Sequence, residues 1–580
     1  MRLSPSFLNL YNLLCLSLSV TAFVHTPQAI NFKLLERQTQ QKNSYSTPFT
    51  IQDSQPNGLA AIFDAAKEFP EQWFTQPVDH FSQDSPTFRQ RYWVNNRHYV
   101  PGTNAPVIVI DGGETSGEDR LPFLDTGIAD ILAKATGGIG VVLEHRMIGW
   151  NMLTPNLGES IPVANLTTDS LRWLTNEQAV EDSARFMAHV KFEGINEDLT
   201  ALKTPWIYYG GSYAGARAAH MRVLHPGLVF GAVASSAVTH ASVELWEYMD
   251  VIRRFANRKC SWHLENLAVT IDSMLSQPGT RKAVKTLFGL SALEHDYDFV
   301  TTIEMVFESW QAKNWDPEIG SEEFEEFCKR INHPFDSVED AVGAIGADTE
   351  DVVTLVNSPG FDFTLLNYAA YVRAKILPKC PKDKTIEQCF GTFDDAKYQV
   401  TSLDQEWRLW LFQVCTQWGY FFTSPPDHKV PRIVSRLHTL ENESKICRQA
   451  FPPGEHLTVP PLPNVTAVNA LGDFSIAKDR LAIIDGEVDP WRPMTPHSDY
   501  YAQDRLDTIS EPFKIIPNGV HHWDENGLRD HNQEPPEIQK IHREIVEFVQ
   551  AWLKDFKRKD WTVSTNMGER SFEVTSWDSG

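Results

Sequence analysis

Apolar residues along this chain gather into a few short, dense runs set far apart. Val107–Ile110, Ile139–Leu143, Trp206–Tyr209 and Val229–Val233 are rich in β-branched and aromatic side chains. Two more runs, Leu481–Ile484 and Phe513–Ile516, follow after a long interval. Strands that are apolar on both faces belong inside a sheet covered by helices. Helical patterns lie between them. Thr175-Asn176-Glu177-Gln178 has the form of a capping box opening a helix toward Val190. Arg217–Val223 reads as a helix, and Ile538–Phe556 places Ile541, Ile545, Phe548, Val549 and Leu553 at helical spacing as the closing helix. Strands alternating with helices predict an α/β sheet.

The pattern changes between roughly residues 240 and 470. Leu245-Trp246, Phe299–Trp310, Phe363–Ile376 and Trp407–Phe421 read as helices, with no strand runs between them. This stretch is expected to be a mostly helical cap inserted into the sheet, a position that often roofs a binding site. Six of the seven cysteines lie in it: Cys260, Cys328, Cys380, Cys389, Cys415 and Cys447. An even set suits disulfides in an oxidising compartment, and the spacing fits no zinc motif, so no metal or cofactor is expected.

The N-terminus has the layout of a secretory signal. Met1-Arg2 is basic, Leu8–Val20 is mostly apolar, and Val20-Thr21-Ala22 ends in small residues. The expected organisation is a signal at 1–22, a polar lead-in or propeptide at 23–60, the first part of the α/β-sheet domain at 61–240, the cap at 241–470, the second part at 471–560 and a tail at 561–580. No later run is long and apolar enough to span a bilayer, so no membrane anchor is expected. Sequons at Asn165, Asn442 and Asn464 fit an exported glycoprotein. The expected destination is extracellular, with a vacuolar or lysosomal-type compartment as the alternative. A formal charge of −24 argues against nucleic acid and against anionic membranes, and suits an acidic working environment.

Trp206-Ile207-Tyr208-Tyr209 runs into Gly210-Gly211-Ser212-Tyr213-Ala214-Gly215 and then into a helix. That context suits a nucleophile elbow, in which a tight turn lifts a serine above a sheet edge. Ala214 replaces the usual final glycine, with Gly215 next. A serine hydroxyl needs a base, and the base needs a carboxylate to orient it. Both candidates follow in hydrolase order after late strands: Asp489 in Asp485-Gly486-Glu487-Val488-Asp489-Pro490-Trp491, and His521 in Asn518-Gly519-Val520-His521-His522-Trp523. Asp485 or Glu487 are alternative acids, and His522 an alternative base. The Tyr213 N–H is the expected first oxyanion donor. The second is placed at Gly113, with Gly112 as the alternative, in Asp111-Gly112-Gly113-Glu114 after the first buried strand. Substrate contacts are expected from His522, Trp491 and Glu114.

These residues sit among blocks that resemble the prolylcarboxypeptidase family of serine peptidases, which includes dipeptidyl peptidase II, thymus-specific serine protease and fungal acid prolyl endopeptidases. Trp73-Phe74-Thr75-Gln76-Pro77-Val78-Asp79-His80-Phe81 with Thr87–Tyr92, Glu144-His145-Arg146, Leu174–Ala179, the elbow, Asp489-Pro490-Trp491 and His521-His522 carry the resemblance across roughly residues 70–555. It implies an α/β-hydrolase with a helical insertion, a triad of Ser212, Asp489 and His521, and cleavage after proline in a pocket between sheet and cap. Trp418, Tyr420 and Trp491 are candidate walls for that pocket. Two departures stand out. Met147-Ile148-Gly149-Trp150 follows Glu144-His145-Arg146 where the family has two tyrosines and a glycine, and Asn526 stands where mammalian members have an arginine. The resulting expectation is a secreted serine peptidase of carboxypeptidase or dipeptidyl peptidase type. The alternatives are a prolyl endopeptidase of the family, or an esterase or lipase on the same fold. Its partners are peptides or proteins, and a homodimer is compatible with the sequence.

Overall fold

The computed structural model describes residues 65–147, 160–333, 335, 343, 345, 350–357 and 361–556. The expected signal, the lead-in and the C-terminal tail all lie outside the described residues. So does the segment after Met147 where the sequence departs from the family.

All six apolar runs are strands of one eight-stranded sheet: β3 (Val107–Asp111), β4 (Ile139–Leu143), β5 (Trp206–Gly211), β6 (Val229–Ser235), β9 (Leu481–Gly486) and β10 (Phe513–Ile516). The opening family block supplies β1 (Gln72–Pro77) and β2 (Thr87–Asn95), which had no strand expectation of their own. The order is β1-β2-β4-β3-β5-β6-β9-β10, and every pairing from β4 onward is parallel. β2 lies antiparallel to both β1 and β4. A parallel sheet hides both faces, which is why β3, β4, β5 and β9 are buried at every position. This is the α/β-hydrolase arrangement.

Helices cover the two faces as the periodicities predict. Asn176–His189 opens on Thr175, whose hydroxyl accepts the Gln178 N–H. The capping box is only half formed, because the Gln178 side chain instead binds Asp79 and the His80 N–H. The closing helix spans Pro536–Leu553 and buries Ile538, Ile541, Ile545, Phe548, Val549 and Trp552.

The insertion is mostly helical, with one correction. Residues 407–421 do not form a single helix: Trp407–Gln413 continues as a π-helical turn to Trp418, and Gly419–Phe421 is then a strand, β8, paired in parallel with β7 (Ser242–Glu244). Gly419 turns the chain at φ 77°, and a Cβ there would lie 2.1 Å from Ser242 O, so the strand follows the glycine. The cysteines pair as Cys260–Cys328, Cys380–Cys389 and Cys415–Cys447, all inside the insertion. No helix among the described residues is long and apolar enough to cross a membrane.

Candidate active site

Ser212 joins β5 to helix Tyr213–Leu224 with φ 62° and ψ −123°, a conformation strained for any residue with a Cβ. Its neighbours make the turn sterically feasible. A Cβ on Gly210 would lie 2.1 Å from Ala214 O, so the strand and helix approach as closely as backbone permits. The Ser212 N–H is held by Ser235 O at 2.9 Å. Tyr213 is the first residue of the helix, where an N–H has no partner within the helix.

The late aspartate and histidine lie side by side. His521 Nδ1 lies 2.8 Å from Asp489 Oδ2, and both residues are buried. Asp489 also accepts the Trp491 N–H at 2.9 Å and the Ser236 hydroxyl. Burial alone would raise the Asp489 carboxyl, but His521 and these donors hold it below the usual carboxylate range. His521 Nε2 is buried and takes no hydrogen bond among the described residues. The alternative acids have other occupations. Asp485 pairs with His497 Nδ1 at 2.6 Å, and Glu487 accepts the Asn518 N–H at 2.9 Å.

The early glycine turn is less simple than its sequence. The Gly113 N–H already donates to Asp111 Oδ1 at 2.9 Å, and the Gly112 N–H to Leu143 O at 2.8 Å. The expectation that Gly113 is the second oxyanion donor therefore conflicts with this geometry. The next amide, that of Glu114, has no hydrogen-bond partner among the described residues. Asp111 is the reason for the difference. Its buried carboxylate gathers the Gly113 N–H, the Tyr208 hydroxyl at 2.5 Å and Arg217 Nε at 2.8 Å, tying the turn to β5 and to the nucleophile helix. Burial favours its protonation, but Arg217 and His145 keep the carboxyl below its ordinary range.

Three charged side chains that sequence reasoning did not weigh together border the elbow. Glu525 occupies the space where a Cβ on Gly211 would sit, 2.5 Å from its Oε1, and it pairs with His522 Nδ1 at 2.8 Å. Burial opposes a charged His522, yet Glu525 raises its pKa above the ordinary histidine value. Arg120 donates through Nε to Gly112 O at 3.1 Å and brings Nη2 within 3.6 Å of a Cβ position on Gly113. No carboxylate among the described residues lies within ion-pair distance of its guanidinium. The polar run Glu118-Asp119-Arg120 carried no signal of this role.

Tryptophans fasten the cap to both late loops. The Trp491 indole donates to Gln311 Oε1 at 2.7 Å, and Trp310 donates to Val488 O at 3.0 Å on the acid loop. Trp315 donates to Trp523 O at 2.9 Å, and Trp523 to Lys313 O at 3.0 Å, on the histidine loop. The Trp491 ring lies 6.4 Å from His521 and touches Tyr248, Tyr420 and Phe422 at centroid distances of 5.5, 5.2 and 5.9 Å. Trp418, the other candidate wall, is fully buried against Tyr213 at 5.1 Å.

A strained serine between a buried strand and a helix, on a sheet of this order, makes the protein a serine hydrolase of the α/β-hydrolase class. The chain belongs to the Serine carboxypeptidase S28 family, which it matches over residues 76–545. It is 36% identical over 525 residues to a protein of Arthroderma benhamiae named "Probable extracellular serine carboxypeptidase", covering 86% of this chain and 69% of that one. It is 25% identical over 498 residues to "Serine protease vicPa" of Bipolaris victoriae, covering 83% and 88% of the two chains. It is also 26% identical over 504 residues to the mouse "Thymus-specific serine protease", covering 84% and 88%. The family expected from the sequence blocks is thus the family found.

Two outcomes follow from the geometry. Gln311→Leu removes the acceptor shared by Trp491 and Tyr248 without touching the candidate triad. It should slow fluorophosphonate labelling of Ser212 by about 10- to 100-fold while leaving the circular dichroism spectrum intact. The second outcome concerns Asp485, whose carboxyl burial and neighbouring Asp489 push well above the usual range. A carboxyl raised on folding stabilises the fold at low pH, and this contribution is lost as pH rises through its folded-state value. Asp485→Asn removes the ionisation and keeps the shape. Its Tm relative to the parent should therefore be more favourable at pH 8 than at pH 5, as read by thermal melts at both.

Proposed function

We propose that this protein is an exported serine peptidase that removes C-terminal residues from peptides after proline, with Ser212 as nucleophile. In this reading Ser212 Oγ attacks the scissile carbonyl while His521 Nε2 takes its proton, and Asp489 fixes the imidazole tautomer and stabilises the imidazolium. The oxyanion rests on the Tyr213 N–H and on the unengaged Glu114 N–H. His521 then passes its proton to the departing amine. Water, deprotonated by the same histidine, releases the proline-ending acid from the acyl-serine.

The observation that carries the carboxypeptidase assignment is Arg120. Among the described residues no carboxylate stands at ion-pair distance from this guanidinium, although Glu525 feels its charge, and beside the oxyanion turn it suits the free carboxylate of a short leaving residue, which it can bind through paired donors. The preference for proline is supported by the aromatic group around Trp491, since flat rings suit the faces of a pyrrolidine. One observation favours a second reading. Glu114 Oε2 is buried with no hydrogen-bond partner among the described residues, and a carboxylate there suits the ammonium of a peptide N-terminus, as a dipeptidyl peptidase requires.

Export is supported by the N-terminal pattern, by the relative named as extracellular and by Asn464, whose sequon is exposed.

Peptides blocked at one end decide between the readings. Proline-containing peptides with a free C-terminus should be cleaved, and their C-terminal amides should not. Arg120→Met should raise KM for the free acid by about 10- to 100-fold, the scale of a lost charge-assisted contact, and change ester hydrolysis far less, by no more than the loss of its bond to Gly112 O costs. Cleavage that requires a free N-terminus and ignores the amide would instead establish the dipeptidyl reading. Absence of fluorophosphonate labelling at Ser212 would remove both.

A further inference from the structure

The loop that follows the candidate base ends in a cluster that the peptidase reading does not use. His531 Nδ1 and His542 Nδ1 face the two oxygens of one carboxylate, lying 2.8 Å from Glu534 Oε1 and 2.9 Å from Glu534 Oε2. The ligand-type atoms of the three residues all lie within 4.8 Å of one another. Glu534 and His542 are buried, with relative exposures of 3% and 5%, and His531 is half-buried at the rim. His531 and Glu534 flank a short turn, whereas His542 projects from the closing helix, so the tertiary fold brings the third member in.

The proton count at His542 is the informative point. Its Nε2 lies 3.1 Å from the backbone carbonyl of Asp524, which can only accept, so Nε2 carries a hydrogen. In the neutral ring the lone pair is then on Nδ1, aimed at a carboxylate oxygen. Two electron-rich atoms at that separation need a positive charge between or beside them. His531 repeats the convergence on the other oxygen. An imidazole that gives one N–H to a backbone carbonyl and turns its other nitrogen inward has the outer-shell support of a metal ligand. Glu534 has similar support, since Oε1 accepts the Leu528 N–H at 3.0 Å. Donors around a tetrahedral ion with bonds of about 2.0–2.1 Å lie about 3.3 Å apart, so the observed 2.8 and 2.9 Å need open by only a few tenths of an ångström to admit one. Two imidazoles and one carboxylate form a zinc-type donor set.

We propose that His531, Glu534 and His542 bind one divalent cation of the zinc class, with water completing its coordination. The ion's place is structural. It joins the segment after the candidate base to the closing helix and holds the Asp524 carbonyl through His542. The Asp524 carboxylate in turn receives the Tyr209 hydroxyl at 2.7 Å and the Ser235 hydroxyl, so the tie reaches the sheet beside the elbow.

Full-length protein stripped with a chelator and titrated with cobalt(II) tests this directly. One equivalent should give the visible absorption of a low-coordinate cobalt site, zinc should displace it, and zinc should raise the Tm. His531→Ala alters only the rim ligand. It should weaken cobalt binding by more than about 100-fold while the metal-free protein keeps its parental Tm, and Glu534→Gln should lose the absorption band as well. Absence of the band in the parent would overturn the proposal and leave a protonated histidine–carboxylate network. Equal binding by the parent and His531→Ala would also overturn it, because the ion would then sit elsewhere. Fluorophosphonate labelling of Ser212 on the same samples judges the peptidase reading independently.

Discussion

The C-terminal end of β6 has to satisfy three separate loops at once, and the candidate site exists because it does. Ser235 O takes the Ser212 N–H, and the Ser236 hydroxyl serves both the His522 N–H and Asp489. The Ser236 N–H returns to Ile484 O at the end of β9, and Ser236 itself is held at φ 45°. The candidate nucleophile, acid and base come from separate loops of the chain, so small residues with side-chain hydroxyls at this crossing are what allow all three to approach. A bulkier side chain at either position would separate the elbow from the loops it must meet.

Buried charge does similar work one layer out. Glu144 and Arg146 follow β4 and were noted in the sequence only as part of a family block. Glu144 receives two bonds from Arg91 of β2, and Arg146 reaches Asp182 of the helix over the sheet. Arg91–Glu144 ties β2 to the end of β4, while Arg146–Asp182 and Asp111–Arg217 tie strand ends to helices near the site. A buried pair is weak evidence of net stability, but losing one partner leaves an uncompensated charge and costs about 3–5 kcal/mol. Such pairs make the arrangement of loops discrete rather than adjustable. The indole bonds from the cap act in the same sense on the acid and histidine loops, which explains part of the chain's 17 tryptophans.

Much of this was legible in sequence because it is local. A buried parallel strand, an elbow and a closing helix each announce themselves within about ten residues, through apolar density, small residues or helical spacing. The order serine, aspartate, histidine added the long-range part for the triad candidates. What stayed hidden depends on partners that no local pattern names. Gly113 looks like a free amide donor until Asp111, two residues earlier, is seen to turn back on it. Glu525 and Arg120 look like solvated charges until the fold sets them against Gly211 and Gly113. The short strand at Gly419–Phe421 was hidden by aromatic residues that suit a helix equally well, and only the left-handed glycine marks the break.

The placement of the disulfides bears on how the molecule is made. β6 pairs with β9, yet residues 236–480 lie between them, so the sheet cannot close until the whole insertion has been synthesised. Until then β6 presents an open edge, which is a hazard for a growing chain. Each of the three cross-links closes within the insertion, over sequence separations of 68, 9 and 32 residues. The insertion therefore needs no covalent partner from either hydrolase half in order to compact. Once compact it brings its own ends together, and a very long loop becomes a short hinge across which the second half of the sheet docks.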